Sequence, residues 1–125
     1  MKVKKAVSIV ILSLTLGFLT YISVQSFWAD IHYQRAQRLA QEINWQEAAL
    51  ELEKAISISP GNADYHRGIG QIYSDLSRIY GKEEWFNKTI THFQKAYQLN
   101  PYDAWAHYYL AWAYSNKKMF EQAMA

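Results

Sequence analysis

Lys54-Ala-Ile-Ser-Ile-Ser-Pro60-Gly-Asn-Ala63-Asp-Tyr-His66 lies over Lys95-Ala-Tyr-Gln-Leu-Asn-Pro101-Tyr-Asp-Ala104-Trp-Ala-His107 at an offset of 41 residues. The match runs on, with Gly70 over Ala111, Tyr73 over Tyr114 and Ser74 over Ser115. A second offset, of 34, brings His32 under His66, Ala36 under Gly70 and Leu39 under Tyr73. Self-similarity at such periods is the mark of stacked supersecondary units, each too small to bury its apolar face alone.

The units read as helical. Ala48, Leu52, Ala55 and Ile58 make an apolar stripe at i, i+4, i+7 and i+10, which is one face of an amphipathic helix. Pro60 and Pro101 fall where such helices must end. Asn62 and Asp103 are equivalent and stand where the next helix needs an N-cap. The two offsets differ by seven residues, about two helical turns. Ile72, Leu76 and Ile79 keep helical spacing through that excess, so the helix is expected to reach Tyr80. Gly81 then breaks it and its partner begins near Lys82, giving one long hairpin that projects beyond its neighbours.

Upstream the pattern changes. Ala6 to Ala29 is 24 residues without a formal charge, preceded by Lys4-Lys5. A run of about 20 apolar residues crosses roughly 30 Å of hydrocarbon as a helix. Ser8, Ser13 and Thr15 do not forbid this, because their hydroxyls return to backbone carbonyls. Phe27 and Trp28 sit at the position of interfacial aromatics. A cleaved secretory signal has a shorter apolar core and small residues at its cleavage site, whereas Val24-Gln25-Ser26 follows here. The expectation is therefore a basic flank at 1–5, a retained membrane helix at 6–28 and a helical domain at 29–125. Three lysines precede the span, against Arg35 and Arg38 after it, which favours a cytoplasmic N-terminus and a domain on the outer, periplasmic side.

Composition narrows the function. Half the residues are hydrophobic, yet the mean hydropathy is −0.28, and the one long uncharged apolar run lies in the first thirty residues. The net charge of +2 depends on the N-terminal lysines; from Asp30 onward there are 10 basic and 11 acidic residues. A near-neutral domain does not suit nucleic-acid binding, which needs a basic face. With no cysteine there is no disulfide scaffold, thiolate nucleophile or cysteine-ligated metal.

No catalytic, cofactor or metal constellation emerges. His32, His66 and His107 recur at one repeat position and read as one packing slot on separate helices rather than a shared metal site, and His92 stands alone. Gly68-x-Gly70 lacks the third glycine and the preceding strand of a dinucleotide loop. Its second glycine reads as a helix contact. Adjacent helical residues point apart, so Glu83-Glu84 reads as a solvated helix start rather than paired carboxylates. Asn87-Lys-Thr89 matches a glycosylation acceptor, a match common by chance.

These units resemble the tetratricopeptide repeat, a helix–turn–helix of 34 residues with small residues at fixed contact positions. With Pro60 at the family's proline position, the repeats run 29–62, 63–103 and 104–125, the last incomplete. Ala36, Ala48 and Ala55 fill small positions in the first; Gly70, Tyr73, Phe93, Ala96 and Pro101 match in the second; Ala111, Tyr114 and Ala123 match in the third. Arg35 departs from the family, standing where a leucine-like residue is usual, so the first helix is a boundary helix or continues directly from the span. The fold expected is all-α: one transmembrane helix and an α-solenoid of about two and a half repeats, the middle one lengthened.

The resemblance implies a concave groove lined by the first helix of each repeat. Its inward positions are Tyr33 and Gln37; Asp64, Arg67, Gln71 and Asp75; Trp105, Tyr108, Trp112 and Asn116. Trp105, Tyr108 and Trp112 share a helix face at i, i+3 and i+7, and such aromatics anchor peptides or stack on sugars. Packing against other structure is the competing use of this face. The groove lacks the basic carboxylate clamp of some family members, Arg67 being its one cation. The function implied is a noncatalytic, membrane-anchored scaffold holding a protein or peptide partner in a bacterial-type envelope.

Phe27-Trp-Ala-Asp30, Gly68-Ile-Gly-Gln-Ile-Tyr73, Leu99-Asn-Pro-Tyr-Asp-Ala104 and Leu110-Ala-Trp-Ala-Tyr114 also look like the C-terminal part of O-antigen ligase/polymerase-like membrane proteins. There a last span runs into repeats with a lengthened hairpin. That likeness implies a role beside glycan-assembly machinery and carries no catalytic residue over. A secreted module released from a cleaved signal is the third reading. The uncapped C-terminal end of the array implies a completing partner or self-association, and marginal stability for Asp30–Ala125 alone.

Overall fold

The computed structural model describes residues 1–125, the side chain of Ala123 excepted. Five helices follow one another: α1 (Lys2–Gln41), α2 (Trp45–Ile58), α3 (Ala63–Tyr80), α4 (Glu83–Leu99) and α5 (Ala104–Met124). No strand occurs among the described residues. The protein is all-α, with one long apolar N-terminal helix. Successive helices pack as antiparallel neighbours, and α1, α3 and α5 run in the same direction.

α1 is a single helix of 40 residues, about 60 Å long at 1.5 Å per residue. Its apolar stretch touches nothing, and the most apolar window is wholly unburied. Ser8, Thr15, Thr20 and Ser23 turn their hydroxyls onto carbonyls one turn back, which removes their need for water. There is no hinge where the repeats begin: the helix continues unbroken through Ala29 and Ala36, both fully buried against the domain.

The turn from α1 to α2 is three residues long and takes Ile43 through φ 62°, an uncommon conformation for a β-branched residue, with its side chain in solvent. The later turns use the expected punctuation. The Asn62 side chain accepts from the Asp64 amide at 3.0 Å, and Asp103 accepts from Trp105 at 2.9 Å and Ala106 at 3.3 Å. Gly81 takes φ 57° and ends α3 directly after Tyr80. The Ala48, Leu52 and Ala55 stripe is fully buried, and Ile58 packs at its edge.

α3 and α4 do form a lengthened hairpin, but it does not project alone. α5 runs for 21 residues and brings the Phe120 ring to 5.0 Å from Phe86, near the tip of the hairpin. The place expected for Ala123 in the repeat lies outside the described side chains. Gly70 lets α3 and α4 close: a Cβ there would sit 2.8 Å from the Phe93 ring. Phe93 is fully buried and stacks on Tyr109 of α5 at 5.2 Å, so one ring joins three helices.

Candidate functional site: the face of α1, α3 and α5

Two adjoining clefts open on the side where α1, α3 and α5 lie next to one another. The larger, about 410 Å³, is lined from α1 by Gln37, from α3 by Gln71 and Asp75, and from α5 by Tyr108 and Trp112. The smaller, about 340 Å³, is lined by Tyr33, Gln37, Arg67, Gln71 and Trp105. Gln37, Gly68, Gln71 and Tyr109 line both, so the clefts form one continuous groove. Eight of the ten residues expected in a groove therefore come together.

Asp64 and Asn116 line neither cleft. Asp64 is spent on Arg67, at 2.8 Å, near the start of α3. Asn116 turns its amide back onto the Trp112 carbonyl, at 2.8 Å. The groove also contains residues that repeat positions did not mark. Tyr109 stacks on Trp105 at 6.0 Å and meets Tyr108 edge-on at 5.4 Å. Trp45 enters from the first turn of α2, and Arg78 from the last turn of α3. Tyr109 shows no marking because it faces the groove and the Phe93 core at once. Trp45 belongs to α2, whereas the groove was expected to be lined by the first helix of each repeat.

The wall on α5 is aromatic and open. Trp105 and Tyr108 are 60% and 59% exposed, whereas Trp112 is half-buried against the cluster of Ile90, Phe93 and Ala113. The lengthened hairpin thus occupies part of one ring and leaves two free. The charges of the groove are already compensated. Arg67 is held between Asp64 and Asp103, the latter at 3.0 Å, and Arg78 pairs with Asp75. Arg67 is therefore no free cation for a carboxylate, and the groove offers glutamine amides and aromatic faces instead.

Behind the groove lies a second polar cluster. His66 Nε2 is 2.8 Å from the Pro60 carbonyl, which only accepts, so this nitrogen carries the proton. In the neutral ring the His66 Nδ1 then accepts from His92 Nδ1–H, 3.2 Å away, with the rings stacked at 5.4 Å. The expectation that His92 stands alone is corrected: α4 meets α3 along the face that carries it. Burial holds the His92 pKa down, to about 4, and the nearby His66 adds to this. Tyr73 donates to Glu53, and burial, then this carboxylate, raises the phenol pKa. His107 repeats the His66 bond, its Nε2 3.0 Å from the Pro101 carbonyl. His32 has no turn before it, because α1 is continuous there, and pairs with Glu51 at 2.7 Å instead. Hydrogen bonds from Lys54 and His32 hold the Glu51 pKa below its usual value.

Among the described residues no three histidine, aspartate or glutamate side chains converge as metal ligands. Glu83 and Glu84 are exposed at the start of α4, where the helix dipole favours negative charge, and Glu84 pairs with Lys88 at 3.1 Å. In the glycosylation match, Thr89 is fully buried in mid-helix with its hydroxyl on the Trp85 carbonyl.

No curated protein matches this chain. Residues 92–125, covering the second half of α4, the Asn100–Asp103 turn and α5, match the tetratricopeptide repeat, a family whose repeats are typically noncatalytic protein–protein interaction modules.

Proposed function

We propose that this protein is a membrane-anchored, noncatalytic scaffold. In this reading residues 6–28 cross the membrane, with the N-terminus cytoplasmic and the repeats on the outer side of a bacterial-type cell envelope. The groove between α1, α3 and α5 holds a segment of a partner protein. The observation that carries the reading is the wall of exposed Trp105 and Tyr108, with Tyr109 half-buried between them and the core, facing Gln37 and Gln71 across one groove. Aromatic rings supply contact area with few rotors to freeze, and amides read a peptide backbone without demanding charge. Anchoring raises the local concentration for partners in the same membrane.

The test uses the full chain in its native membrane, with a photo-crosslinking residue at Gln37 or Gln71 and, as control, at Thr91 on the exposed side of α4. The reading expects a discrete adduct from the groove positions that the Trp105→Ala/Tyr108→Ala pair removes. Equal labelling from Thr91, or adducts indifferent to that pair, would contradict it. A second reading, as part of O-antigen ligase/polymerase-like glycan machinery, draws support from the unbroken passage of α1 into the repeats. It expects the groove adduct to be a multispanning membrane protein.

A further inference from the structure

We propose that the repeat domain rests on the membrane surface through the Ser59–Asn62 and Asn100–Asp103 turns, with Tyr102 seated among the lipid headgroups. This rests on the anchored reading above. α1 has no flexible joint between its apolar stretch and the buried Ala29, so the domain's height over the bilayer is set by the helix itself. α1, α3 and α5 are parallel, and both turns therefore lie at the end from which the span emerges.

Their level follows from contacts. Asp30 accepts from Tyr65, near the start of α3, and Arg67 of α3 bridges to Asp103, the residue that caps α5. The repeat offsets of 41 and 34 then set Tyr102 and Gly61 level with Phe27, beside Trp28 at the edge of the uncharged run. That edge is where tyrosine and tryptophan favour the headgroup region. Tyr102 is 96% exposed and packs on nothing in the domain, and Leu99 beside it is also exposed.

The chemistry of this end suits lipid. The turns contribute Pro60, Gly61, Pro101 and Tyr102 outward, without charge. The acids nearby are engaged: Asp30 by Tyr65, Asp64 and Asp103 by Arg67. The opposite end differs, with Lys82, Glu83 and Glu84 exposed at the tip of the hairpin. An aromatic ring at the headgroup level with its hydroxyl in water fits the amphipathic character of tyrosine.

The chain has no cysteine, so single labels report cleanly. The full chain, reconstituted in vesicles of phosphatidylcholine and phosphatidylglycerol, carries an environment-sensitive fluorophore at Tyr102→Cys, Gly61→Cys, Lys82→Cys or Gly17→Cys. A side chain at Gly61 or Gly17 meets open space, and Gly61→Cys keeps Tyr102 intact. Quenching is read from lipids bearing a nitroxide at the headgroup or at acyl carbon 12, and from aqueous iodide. The expected result is headgroup quenching at 102 and 61 at least threefold above that at 82, with iodide quenching reversed. Equal quenching at 102, 61 and 82, while the label at 17 responds to the acyl nitroxide, overturns the proposal and leaves the anchor standing. A label at 17 that responds only to iodide overturns both.

Discussion

The two halves of α1 have the same backbone and opposite surroundings. Leu14 and Leu16, in the first half, are 68% and 62% exposed, with no protein partner; Ala29 and Ala36, in the second, are fully buried. From Ala6 onward the first half is uncharged and apolar on every side, the pattern of a helix long and apolar enough to cross a membrane. The second carries charge from Asp30 onward and buries the small Ala29 and Ala36, with Tyr33 and Leu39 packed beside them, which lets α2 approach closely. The difference teaches that composition around the helix, rather than helix propensity, decides what each half is for.

This contrast breaks most sharply at the core. Phe93→Ala is expected to lower domain stability by about 3–5 kcal/mol, since the ring is fully buried among α3, α4 and α5. Leu16→Ala, removing a comparably apolar side chain, should leave that stability unchanged. Urea unfolding of the full chain in detergent, followed by tryptophan fluorescence, measures both. The converse change is Leu16→Arg, which should cost insertion about 3 kcal/mol. It moves protein from the membrane pellet to the soluble fraction while circular dichroism keeps its helical signal.

Smaller effects refine the packed half. Asp103→Ala removes a cap on two amides and the partner of Arg67, and should cost about 1–2 kcal/mol. Asn62→Ala removes a cap on one amide and should cost about half as much in the same unfolding assay.

Acidity adds a further contrast. His92 is half-buried and its pKa is lowered to about 4 from 6.5, so the unfolded chain binds this proton first as the pH falls. Stability is therefore present above pH 6.5 and is lost progressively down to about pH 4, by about 1 kcal/mol between pH 7 and 5 for this half-buried ring. His92→Gln should flatten that part of the pH–stability curve. The depressed Glu51 acts lower down: its contribution is present above the usual carboxylate value and is lost below it.

Local signals were the legible ones. The reach of α3 to Tyr80 and its stop at Gly81 could be read, because helical spacing and a residue tolerant of φ 57° are properties of short stretches. The caps at Asn62 and Asp103 were legible for the same reason, and so was the need for a small residue at Gly70. Eight groove positions followed from the repeat register. The His66–His92 pair, the entry of Trp45 and the double duty of Tyr109 were not legible, because each depends on which faces of two helices meet. The positive φ of Ile43 carried no signal either: the short α1–α2 turn requires it although the residue does not favour it.

The central claim is that one uninterrupted helix both anchors the chain and forms the first wall of the groove. Membrane fractionation with intact-mass analysis of the expressed chain, repeated with protease added after the outer barrier is opened, tests it most directly. The account predicts the full-length mass in the membrane fraction and digestion of the repeat domain from outside. A processed, soluble species beginning near Asp30 would contradict it.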